Sequence, residues 1–163
     1  MDTDCNTNSN FDTSFNVDND YKPTPLVISG PYFGNIKEAK LDTKTASVIF
    51  NIVLDGNGEA TCNDGETSVD GIEVESRLWL PKANDKNELN KKGNMTKFQS
   101  KVNMIQSFCE RTGMNCKTFT AIQEAIDDSE WIGWQVVAQV EVETYQGRQF
   151  NRCNDFTRDT RED

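Results

Sequence analysis

Residues 71–82 read Gly-Ile-Glu-Val-Glu-Ser-Arg-Leu-Trp-Leu-Pro-Lys. Ile72, Val74, Leu78 and Leu80 alternate with Glu73, Glu75, Arg77 and Trp79, the pattern of a half-buried β-strand with one face on a core. The phase puts Trp79 on the outward face, two residues from Arg77. A strand that shows an indole and a guanidinium to solvent can stack a flat ligand, and nucleic-acid bases are the commonest ligand of that shape. The alternative is that a loop or a partner subunit covers Trp79.

On the N-terminal side, Ala46 to Leu54 reads as a strand with Val48, Phe50, Ile52 and Leu54 inward and Ser47, Ile49, Asn51 and Val53 outward. Before it, Leu26 to Leu41 reads as a long first strand, bent or bulged at Gly30 and Gly34. The connection 55–71 is acidic and Gly-rich. It matches part of a calcium-loop pattern but has Ala60 where that loop needs glycine, so no metal site is assigned. Glu38-x-Lys40 lacks the upstream acid that a nuclease motif requires.

On the C-terminal side, Pro81 to Gly93 is a basic loop. A helix follows, opened by a Thr96-x-x-Gln99 capping box and closed at Gly113, with Phe98, Val102, Ile105 and Cys109 on one apolar face. Thr120-x-x-Gln123 opens a second, short helix, and both stripes read as core faces. Trp134 to Tyr145 is the fourth strand, with Val136, Ala138, Val140 and Val142 inward and Gln139, Glu141 and Glu143 outward; Gln146-Gly147 is a turn, and Arg148 to Phe156 the fifth strand. On the latter, Arg148, Phe150 and Arg152 share one face, an arginine–aromatic comb if that face is outward; if Phe150 is core, a bulge must separate it from the arginines.

The chain has 163 residues, enough for one domain with a moderate core. With no histidine, Ser-His, Cys-His and His-metal chemistry are excluded, and the five cysteines form no C-x-x-C pair. Scattered thiols, with neither a membrane span nor a signal-peptide core, lead us to expect a soluble, cytoplasmic protein with no membrane partner. No catalytic residue, cofactor or metal is assigned, and an enzyme is not expected.

Net charge is −10, yet the charges are segregated. Residues 1–21 carry five acids and 55–76 seven, without a base in either. Residues 77–101 hold seven bases against two acids. Clustering of this kind bears on phosphate binding more than total charge does, although a lysine-rich run is also an ordinary solvated loop.

The order strand, strand, strand, helix, strand, strand is that of a mainly β, five-stranded OB-fold barrel with a helical insertion between strands 3 and 4. Expected boundaries are an acidic arm at 1–24, disordered or loosely docked, the OB domain at 25–156, and a mobile tail at 157–163. That fold binds oligonucleotides on strands 2 and 3 and on the loops after strands 1 and 4. The candidate contacts are therefore Lys40, Lys44, Arg77, Trp79, Lys82, Lys86, Lys91, Lys92, Tyr145, Arg148, Phe150 and Arg152.

The chain also resembles small phage-encoded single-stranded-DNA-binding proteins with an OB-fold. The resemblance spans about residues 21–156. It rests on Tyr21-x-Pro23, Gly30-x-Tyr32, Ile36-x-x-Ala39, Val69-x-Gly71, Leu78-Trp79-Leu80, the Phe108-to-Gly113 helix end, Trp131-Ile132-Gly133 and the Gly147-to-Asn151 hairpin. It implies a protein that coats single-stranded DNA in the host cytoplasm, with replication or recombination proteins as partners. Many such proteins end in a long acidic tail, whereas this chain has a short mixed tail and an acidic N-terminal arm. RNA as ligand, a homodimer, and an OB-fold protein–protein adaptor using Trp79 as an interface anchor stay open.

Overall fold

The computed structural model of the chain describes residues 10–160. Five strands, β1 (Gly30–Asp42), β2 (Ser47–Asp55), β3 (Glu73–Trp79), β4 (Gln135–Tyr145) and β5 (Arg148–Arg158), form one antiparallel sheet in the order β3-β2-β1-β4-β5. A one-turn helix, α1 (Val17–Asp20), precedes the sheet. Between β3 and β4 come a 3-10 turn (Ala83–Asn87) and two helices, α2 (Lys97–Thr112) and α3 (Phe119–Asp127). The architecture is mainly β with the helical insertion where the sequence puts it. Every ladder is antiparallel, so β1, β3 and β5 run in one direction; the two edge strands, β3 and β5, lie against each other without a ladder between them.

β3 has the alternation its sequence predicts. Val74, Ser76 and Leu78 are buried, while Glu73, Glu75 and Trp79 are exposed. The core is built around Phe50 of β2, whose ring lies 5.7 Å from Phe108, 5.7 Å from Trp131 and 5.2 Å from Phe156, centroid to centroid. Rings at these spacings add to the burial of their own area. β2 is covered on both faces at one end, where the outward residues Ser47 and Ile49 are buried beside Arg77 of the neighbouring strand.

Four expectations need correction. β1 bulges at Lys37, where pairing passes from Ile36↔Ile52 to Glu38↔Asn51, and not at the glycines. Gly34 instead gives room: a Cβ there would lie 2.7 Å from the Val53 carbonyl oxygen. α3 is capped by Thr118, whose hydroxyl accepts from the Ala121 N–H, so Thr120 lies within the first turn and Phe119 becomes the first helical residue. β5 runs on to Arg158, whose guanidinium lies 4.2 Å from the Trp134 ring centroid, which places 157 and 158 in the sheet and not in a tail.

The fourth correction concerns α2. Its ends are as expected, Thr96 accepting from the Gln99 N–H and Gly113 closing the helix at φ 74°. Its buried residues are Phe108, Cys109 and Thr112, all in the C-terminal half. Of the expected stripe, Phe98 and Ile105 are half-buried and Val102 is 37% exposed. Only the second half of the helix packs on the sheet.

Of the expected arm, residues 1–9 lie outside the described residues; 10–24 are exposed throughout, with Asn16 capping α1. Cys62, Cys109, Cys116 and Cys153 are free, buried thiols, and burial pushes Cys116 and Cys153 up to about 12. Among the described residues no helix is long and apolar enough to cross a membrane.

Candidate nucleic-acid interface

The outer face of the sheet near the β1–β2 turn is assembled by register. Lys40, Ile49 and Arg77 are cross-strand neighbours, as are Asp42, Ser47 and Trp79. Two residues apart on each strand, these rows share one face. Trp79 is 42% exposed there, and Arg77 lies alongside, its guanidinium carbon 5.8 Å from the indole centroid.

Arg77 is not the free phosphate ligand its sequence position suggests. Its Nη1 donates to Asp42 Oδ2 (3.2 Å), Thr45 Oγ1 (3.0 Å) and Ser47 Oγ (3.2 Å), and its Nε donates to Glu75 Oε1 (3.1 Å). The Thr45 hydroxyl and then Arg77 hold the Asp42 carboxyl below its usual range. A guanidinium shared between two carboxylates braces the turn and fixes one flank of Trp79. Lys44 stands exposed in that turn, and Lys40 has only a loose 3.8 Å pair with Glu38 at the surface.

The basic stretch is structured, and part of its charge is spent internally. Asp85 is buried and accepts from Lys101 Nζ (2.7 Å) and the Lys82 N–H (2.7 Å); Lys101 first, then the Lys82 amide, hold its carboxyl below the usual range. Lys97 pairs with Glu88 at 3.1 Å, and Lys86 sits 4.8 Å from the Phe98 ring centroid. A bridge between Leu89 and Thr96 closes the turn that carries Lys91 and Lys92. Lys82, Lys91 and Lys92 have no acid partner among the described residues, and all three are exposed.

Tyr145, Arg148, Phe150 and Arg152 form a second cluster. Gln146 and Gly147, at φ 51° and 77°, make the tight turn between β4 and β5. Tyr145 and Arg148 are exposed; Phe150 and Arg152 are half-buried on the outward face, with the Arg152 guanidinium carbon 5.9 Å from the Phe150 centroid and Nη1 3.5 Å from Glu143. The comb therefore exists. The β5 bulge lies beyond it at Asn154, where pairing passes from Val140↔Cys153 to Gln139↔Asp155.

The two clusters do not converge on one spot. β3 and β5 run in parallel with Ser76 beside Cys153 and residues 76–79 near Asn154 and Asp155, so Arg148 and Trp79 lie about eight residue steps, roughly 25 Å, apart along the strands. Lys40, Lys44, Arg77 and Trp79 come together at one end; Tyr145, Arg148, Phe150 and Arg152 sit at the other.

Beside Trp79 is a cleft of about 270 Å³ at the seam of β3, β5 and α2, which sequence reading missed. Met104 is 57% exposed at its rim, the buried Phe108 ring is at its base, and Arg111 is held across it by Asp155 at 2.7 Å. An exposed methionine between Asn103 and the apolar stripe was the available signal. A soft thioether and an indole lining one cleft are both groups against which a flat ring can pack.

No family model and no curated protein sequence matches the chain.

Proposed function

We propose that this chain is an OB-fold protein that binds single-stranded DNA without sequence preference and catalyses no reaction. The observation that carries this reading is Trp79, 42% exposed on a strand whose alternate residues are buried, beside a cleft and near Lys44, which has no acid partner among the described residues. The sheet order with β3 lying beside β5, and the insertion after β3, support the closed five-stranded barrel. Bases stack on Trp79 and Met104, while Lys40, Lys44, Lys82, Lys91 and Lys92 meet the phosphates. Tyr145, Arg148 and Phe150 take a more distant stretch of the same strand. A part in replication or recombination in a phage-infected cell belongs to the same proposal.

The adaptor reading is favoured by one observation, the internal pairing of Arg77, Lys97 and Lys101, which lowers the free positive charge. Titration of tryptophan emission with oligo-dT, oligo-U and duplex at several salt concentrations separates the two. DNA binding predicts a saturable change, a preference for single strands, and a log–log salt slope near −0.7 per phosphate neutralised. Equal affinity for duplex, or a flat salt dependence, returns the face to the adaptor. Tighter binding of oligo-U would make RNA the ligand.

A further inference from the structure

The N-terminal half of α2 leaves an apolar groove of about 530 Å³ between itself, the start of α3, the β1–β2 turn and the end of β3. Leu80, Ile105 and Ile122 are among its lining residues, and Val102 and Phe119 stand 37% and 53% exposed along it. Burying that much apolar side chain is favourable, and something of matching shape is needed to do it.

The same chain exposes a segment with the complementary character. Phe11, Phe15, Val17 and Tyr21 are 64–70% exposed, and residues 1–21 hold five acids and no base. The groove is edged by Lys117, with Lys44 and Lys82 adjoining its lining residues, and none of the three has an acid partner among the described residues. Asp42, the one acid in the lining, is already held by Arg77 and Thr45.

We propose that the groove receives the acidic, aromatic arm of a second copy of this chain, with Phe11 and Phe15 as anchors. Reach argues for the second copy. The arm is tied down at Leu26 by Asn63 and at Val27 by Asn151, near where β1 begins, whereas the groove lies beside Leu41 and Asp42 where β1 ends. β1 spans up to about 40 Å between those points. The eleven residues from Phe15 to Leu26 extend at most about 36–40 Å, less while α1 stays helical. Phe15 reaches its own groove only if α1 unwinds and the segment runs taut, so that Phe11 alone would seat with slack; an arm from a neighbour can seat both anchors with α1 intact. Two arms and two grooves exchanged reciprocally close a two-fold dimer. Lys44 and Lys82 are also proposed phosphate contacts, so a seated arm and a bound strand would share these two lysines; self-association of the DNA-free chain does not depend on DNA binding.

Sedimentation equilibrium of the full chain tests it. The wild type should dimerise with concentration. Phe11→Asp/Phe15→Asp and, separately, Val102→Glu should each weaken the dimer by about ten-fold or more, the size of losing one well-buried anchor. Mixing the two variants should restore a heterodimer, because one supplies an intact groove and the other an intact arm. Lys117→Glu, at an exposed site, gives the groove test independently should Val102→Glu melt early. A chain that stays monomeric, as an arm folded back on its own groove would make it, overturns the proposal. So does a dimer that either class of variant leaves intact, or a pair of variants that fails to complement.

Discussion

The Trp79 end of the sheet and the β4–β5 hairpin carry the same outward motif, an aromatic residue two positions from an arginine, and the fold treats them differently. At the first, Arg77 has four acceptors and the indole is half open; at the second, Arg148 has no acid partner among the described residues, Arg152 has one loose partner and Phe150 is half-covered. One end has a half-exposed indole beside an internally paired arginine, with exposed Lys40 and Lys44 nearby. The other has less internally paired positive charge beside a smaller ring. An alternation of residue types predicts which side of a strand a group is on, but not which group has already found a partner.

The comparison breaks most readily at Trp79. Trp79→Ala should lower oligo-dT affinity by roughly ten-fold or more, because stacking a base on an aromatic is worth about 1–3 kcal/mol. The melting temperature should hold. Loss of a buried indole would instead cost about 3–5 kcal/mol of stability. Phe150→Ala should have the smaller effect on affinity; if the order is reversed, the hairpin is the principal stacking site. Unchanged affinity in Trp79→Ala would end the DNA-binding assignment for this face.

Arg77→Ala should act in the opposite sense, on the fold first. Removing it leaves the Asp42 and Glu75 carboxylates without their shared cation and uncovers Ser47 and Ile49. A drop in melting temperature of about 3–6 °C is expected for a chain of this size, with affinity falling only as the turn loosens. A variant that melts like the parent but binds much more weakly would make Arg77 a direct phosphate ligand.

The lysines divide in the same way. Lys82→Ala/Lys91→Ala/Lys92→Ala should flatten the log–log salt slope by about 2, at roughly 0.7 per phosphate contact, without moving the melting temperature. Lys86→Ala, which loses its place over Phe98, should change the slope less than any one of these. Equal slopes across the set would mean that the pairing seen around Asp85 and Phe98 does not decide which charges meet phosphate.

The smallest expected effect is the acid limb of stability at Asp85. Its folded carboxyl titrates below the ordinary value of 3.8, so its contribution is fully present above that value and is lost as pH falls through the lowered one. Asp85→Asn should flatten the stability profile below about pH 4 and lower stability at neutral pH. A parallel profile, merely displaced, would show that the ion pair with Lys101 contributes no pH dependence.

Much of the sheet was legible because alternation along β3 and β4 is a local property. Val74, Leu78, Val136, Ala138 and Val140 are buried as their phase requires. So were both ends of α2, because Thr96 and Gly113 act through the adjoining backbone. What misled was tertiary. Val102 and Ile105 repeat like core residues, yet the helix packs through Phe108 and Thr112 and leaves them beside a groove. Thr120 has the capping-box glutamine that Thr118 lacks, yet the helix that buries Ile122 and Ala125 starts two residues earlier, with Thr118 as its cap. The basic stretch looked free because Asp85, its one buried acid, takes Lys101 from sixteen residues away.

The four buried thiols turn this architecture into a clock. Cys62 is the buried thiol of the long β2–β3 connection, Cys109 and Cys116 link α2 to the wall of the groove, and Cys153 sits in the sheet beside Val140. With Cys116 and Cys153 raised to about 12, an alkylating reagent at neutral pH meets almost no thiolate until a segment opens. The order in which these sulfurs are modified would therefore rank the opening of loop, helix and sheet within one molecule.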